Sequence, residues 1–98
     1  MSLTLSVGQA TLAGGRWSFP ATVTGDAGVV AIRYQRSPWD VTCGFGLVGA
    51  AITAHVTQAS SASPFSVGAH SGDTIHVYAS SNSRTGEEHS NIVDVRLP

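Results

Sequence analysis

Residues 72–98, GDTIHVYASSNSRTGEEHSNIVDVRLP, alternate apolar and polar side chains on both flanks of a polar stretch. Ile75, Val77 and Ala79 are interleaved with Thr74, His76 and Tyr78, and Val93, Val95 and Leu97 with Asp94 and Arg96. Only an extended strand places apolar groups spaced by two on one face. The sequence therefore predicts two strands, each with one buried face. A loop is expected over 80–90, where Ser, Asn, Gly and Glu favour turns.

The same pattern recurs upstream. Leu3, Leu5 and Val7 share a face of a first strand that Gly8 ends or bulges, and Ala10 and Leu12 continue the strand before Gly14-Gly15. Trp17, Phe19, Ala21 and Val23 form the buried face of a second strand, with Pro20 outward. Proline cannot donate to a ladder, so an edge or bulge is expected there. Val30, Ile32 and Tyr34 face inward against Ala31, Arg33 and Gln35, until 37–40 turn the chain. In the next strand Cys43 alternates in register with Val41, Phe45 and Leu47, which places all four on the buried side. Ile52, Ala54 and Val56 follow, then a Ser/Ala loop and a short strand with Phe65 and Val67. No segment repeats at helical spacing with caps, so no helix is expected.

Seven to eight short antiparallel strands, each apolar on one face, must close their core as two packed sheets or a barrel. The predicted class is an all-β, two-sheet antiparallel β-sandwich forming a single domain over 1–98. A chain of 98 residues suffices for such a core without staples.

Several features then resemble a fibronectin type III or immunoglobulin-like sandwich. Trp17 stands on the second strand, and the third has the form Val30-x-Ile32-x-Tyr34-x-Arg36. Phe65 and Val67 precede a Gly72-Asp73 turn that leads into Ile75-x-Val77-x-Ala79. Asn82 and Gly86 mark the last loop, and Ser90-Asn91 open the last strand. The chain departs from the family pattern where a corner tyrosine is usual: Asp73 or Thr74 stands there, and Ala69 matches the usual preceding leucine. The resemblance implies a domain of the kind found in bacteriophage virions and bacterial surface proteins.

Charge narrows the partners. Charged residues make up 11% of the chain, against about a quarter in ordinary proteins. Lysine is absent, and the net charge of −1 offers no footprint for nucleic acid or an anionic membrane. The N-terminus lacks the basic start and apolar core of a secretory signal. The apolar stretch 43–54, interrupted by three glycines, is too short for a membrane helix. The expectation is a chain used without its own export signal, or a domain cut from a longer one.

The residues offer little for catalysis or cofactors. Cys43 is the only cysteine, which excludes an internal disulfide, and it reads as a small buried hydrophobe. His55, His70, His76 and His89 lack metal-ligand spacing, with His55 and His76 outward and the other two in loops. The carboxylates Asp26, Asp40, Asp73, Glu87, Glu88 and Asp94 fall mostly in turns, with no cleft to pair them. No catalytic residue, cofactor or metal site is expected.

A binding surface is the better reading. Arg33, Gln35, His76, Tyr78, Asp94 and Arg96 share the outward faces of strands expected to be sheet neighbours. An exposed aromatic among Arg, Gln and Asp has the composition of a recognition face. A cross-strand pair such as Arg33 with Asp94 would also stabilise a sheet that binds nothing. Trp39, placed in the 37–40 turn, is a second candidate, for stacking on a sugar face. The leading expectation is a structural module that associates with protein partners, by self-association or in a larger assembly such as a phage tail or capsid. The alternative is a carbohydrate-binding or adhesion module.

Overall fold

The computed structural model describes residues 3–25, 28–36, 39–58, 69, 71–83 and 86–98. Nine strand segments run in order: β1 (Thr4–Val7), β2 (Thr11–Ala13), β3 (Arg16–Thr24), β4 (Val29–Arg36), β5 (Trp39–Leu47), β6 (Ala51–Thr57), β7 (Thr74–Ser83), β8 (Gly86–His89) and β9 (Val93–Arg96). No helix occurs among the described residues. The segments form two antiparallel sheets packed together, an all-β sandwich.

In the first sheet β3 is central, with β6 along one side and β1 then β2 along the other. In the second, the order is β5-β4-β7, with β8 and β9 both on the far side of β7. Each split edge is one path interrupted by a bulge. Val7 faces Ala21 and Thr11 faces Ser18, so three residues (8–10) stand against two (19–20). Likewise 90–92 stand against 78–79. Counted as paths among the described residues, the sheets hold three and four strands.

Pro20 explains the first bulge. Its carbonyl accepts from Gly8 N at 2.9 Å, so its side of the backbone faces the 8–10 interruption. The missing N–H therefore falls where no regular ladder exists, and the pairing with β6 through Thr53 is left intact. Gly8 is required by the same contact, because a Cβ there would sit 2.5 Å from Pro20 Cγ.

The core follows the alternation closely. Trp17, Phe19, Ala21 and Val23 of β3 meet Val30, Ile32 and Tyr34 of β4. Ile52, Ala54 and Val56 join them, with Ile75, Val77 and Ala79 of β7 and Val95 and Leu97 near the C-terminus. Each large aliphatic or aromatic side chain so buried contributes about 1.5–3 kcal/mol. The corner before β7 is held without a tyrosine. Trp17 Nε1 donates to Ala69 O at 3.2 Å, Gly72 N donates to Leu97 O at 2.7 Å, and Leu97 N donates to Asp73 O at 2.9 Å.

Three expectations are corrected. First, Phe45 and Leu47 point outward. Ile32 faces Gly44 while Arg33 faces Thr42, so Cys43 is the extra residue of a third bulge. The bulge shifts the alternation, and beyond it the inward positions are Gly44 and Gly46. A Cβ on Gly46 would lie 2.4 Å from Ile52 Cγ1, and one on Gly44 3.4 Å from Ala54 Cα. β6 therefore packs directly on the β5 backbone where the two sheets meet. Second, strands occupy residues 80–83 and 86–89 of the expected loop: β7 continues to Ser83 and β8 pairs back along it. His89, expected in that loop, lies on β8. Third, Trp39 opens β5 in register with Arg36, so its backbone belongs to a strand rather than a turn tip. The first strand does resume after the bulge, as β2, where Leu12 pairs with Trp17 and stays exposed. Phe65, Val67 and His70 lie outside the described residues.

Candidate functional site

The outer face of the second sheet gathers the sequence candidates, and the strand register sets them in rows. Val29 pairs with Leu47 at one end. Ala31 pairs with Phe45 on one side and Ser80 on the other, and Ser80 in turn with His89. Arg33 lies between Thr42 and Tyr78. Gln35 pairs with Asp40, and His76 with Asp94, while Arg96 faces Thr74. β4, β7 and β9 are thus in one sheet, as the sequence reading required.

The side chains are arranged differently from that reading in two respects. Arg33 and Asp94 do not pair, because β7 stands between their strands. Asp94 instead binds His76, with Nδ1 to Oδ1 at 2.6 Å on an exposed part of the face. Tyr78 points outward as expected but is only 5% exposed. Its hydroxyl donates to Asp40 Oδ2, and its ring lies 5.4 Å from that of His89, tilted by 48°. Gln35 and Arg96 are exposed, Arg33 is half-buried, and the side chain of Trp39 lies outside the described residues.

Sequence reasoning missed the apolar end of the face. Val29, Phe45 and Leu47 are 62%, 72% and 58% exposed. Val29 and Phe45, with Ala31, Arg33, Thr42 and Ser80, line a shallow groove of about 310 Å³ across β5, β4 and β7. Only the Cys43 bulge turns Phe45 and Leu47 outward, and strict alternation hides such a shift. The polar end holds a second recess of about 250 Å³, floored by Tyr78 and bounded by Gln35, Asp40, His89, Ser90 and Ile92. Asp40 and His89 were also missed, having been assigned to turns by their polarity alone.

The other chemistry-bearing groups are dispersed. His55 Nδ1 meets Ser18 Oγ at 2.9 Å on the opposite sheet. Cys43 is buried, and burial pushes its thiol up to about 12. Among the described residues no three His, Cys, Asp or Glu side chains gather as metal ligands. No helix among them is long and apolar enough to cross a membrane. No family model and no curated protein matches the sequence.

Proposed function

We propose that this chain is a non-enzymatic assembly module of fibronectin type III or immunoglobulin-like type, which associates with further copies of itself through the outer face of the β5-β4-β7 sheet. The observation that carries this reading is the exposed row Val29, Phe45 and Leu47. Contiguous apolar surface rimmed by polar groups is characteristic of protein contact sites.

The row also occupies the right place for self-association. It lies on the edge strand β5 and its only ladder partner among the described residues, β4. Residues 41–47 carry no charge, whereas the opposite edge carries Glu87, Glu88, Asp94 and Arg96. Charged side chains are a common guard against edge-to-edge pairing, and β5 lacks them from 41 onward. A second copy placed against β5 would bring two apolar rows together and extend both sheets. The two-sheet antiparallel architecture is compatible with the family resemblance, and a virion or surface assembly is the setting that resemblance suggests.

Sedimentation velocity across a concentration series, with light scattering and a glycan array on the same sample, tests the reading. Reversible dimers or larger species that Phe45→Ser dissociates, together with a blank array, support it. A strict monomer at the highest concentrations, or a glycan signal abolished by Trp39→Ala, overturns it.

A further inference from the structure

The geometry points to the recess over Tyr78 as an anchor site for a guanidinium group, an arginine side chain presented by a protein partner. The recess does not depend on self-association through the apolar row, which lies at the other end of the face.

The hydroxyl protons bordering it are already committed. Tyr78 donates its hydroxyl proton to Asp40 Oδ2. Ser90 Oγ accepts from Ala79 N at 2.8 Å and donates to Asn91 O at 2.8 Å, so its proton is also committed. Asp40 is exposed, and among the described residues no cation pairs with it. Its carboxylate keeps Oδ1 and further lone pairs for a ligand. Gln35, its exposed cross-strand partner, borders the same recess. The walls are the tilted rings of Tyr78 and His89 and the side chain of Ile92.

These features select a cation with several donors and a flat face. A carboxylate repels anions and favours a cationic ligand. A guanidinium offers a planar fork of N–H donors to the adjacent oxygens and can lie against an aromatic plane. The volume of about 250 Å³ suits a side-chain head group. Pockets for whole small-molecule ligands run from about 300 to 1,000 Å³. The Tyr78 hydrogen bond orients the carboxylate before the partner arrives, which lowers the ordering cost of binding.

The test is an NMR titration of the ¹⁵N-labelled full chain carrying Phe45→Ser, so that self-association neither supplies nor masks the signal. The probes are N-acetylarginine amide, its neutral isostere N-acetylcitrulline amide, and glucose. Saturable shifts confined to the amides of Gln35, Asp40, Tyr78, His89 and Ile92 are expected with the arginine probe alone. Asp40→Asn should weaken them about tenfold, the loss of one charge-assisted contact. Gln35→Glu, which adds a second carboxylate without touching the core, should strengthen them. Equal shifts with citrulline or glucose, shifts centred elsewhere, no saturable shift, or an Asp40→Asn variant that binds as before would each overturn the assignment. Every such outcome leaves the oligomerisation result untouched.

Discussion

Tyr78 and Asp40 lie on strands that do not pair, β7 and β5, yet the phenol reaches across β4 to bind the carboxylate. The tyrosine thereby ties three strands together on the face that points away from the core. Tyr78→Phe keeps the ring and removes this bond, at a cost of about 1 kcal/mol. Tyr78→Ser also removes a buried ring, and about 3 kcal/mol is expected. Urea unfolding of both variants measures the difference. Equal stability in Tyr78→Ser and the parent would contradict the burial described here.

Gly46 is the tightest point between the sheets. Gly46→Ala forces a methyl group to within 2.4 Å of Ile52 Cγ1, and overpacking of this kind costs about 1–3 kcal/mol. The double variant Gly46→Ala/Ile52→Val should recover part of the loss, because it removes the methyl of Ile52 that lies 2.8 Å from the same point. Thermal melts of the two variants decide this. Recovery is the diagnostic outcome, since a general loss of strand stability would not respond to Ile52.

Asn91 acts as a short strand in its own right. Its side-chain oxygen accepts from Leu5 N at 2.8 Å, and its nitrogen donates to Leu5 O at 3.2 Å. Asn91→Ala should cost about 1–3 kcal/mol through these two lost bonds. It should also speed hydrogen exchange at Leu5 ahead of the amides in β3. Asn91→Asp retains the acceptor and loses the donor, so its stability should fall between the two.

Cys43 makes stability depend on alkaline pH. Its folded thiol titrates near 12 rather than the ordinary 9.0, because burial disfavours the thiolate. The unfolded chain releases that proton first. The contribution of the neutral thiol is therefore fully present below about pH 9 and is lost as pH rises towards 12. Cys43→Ala should flatten this part of the profile relative to the parent. A thiol reagent at pH 8 should modify the native protein only as fast as it opens.

The sandwich was legible because burial follows a period of two wherever strands are regular. Trp17, Phe19, Ala21 and Val23 needed no more than their spacing, and Pro20 with Gly8 announced a bulge by chemistry alone. The bulges at 43 and 90–92 carried no such signal. A single inserted residue reverses every later side chain, so Phe45 and Leu47 moved from core to surface and the apolar end of the face went unseen. Tyr78 was placed on the correct side of β7, but its burial depends on Asp40 and His89, which come from other strands. Polarity along one strand cannot report what lies above it from another.

The Asn91 clasp and the parallel bridge between Leu3 and Ser90 fasten the first strand alongside the last. A force that draws Leu3 and Leu97 in opposite directions runs along these two strands rather than across them. The bonds between Leu5 and Asn91 are then loaded together in shear, not opened one at a time as in an unzipping hairpin. A module joined to its neighbours through its two ends would resist pulling at this clasp first, with Asn91 as its mechanical fuse.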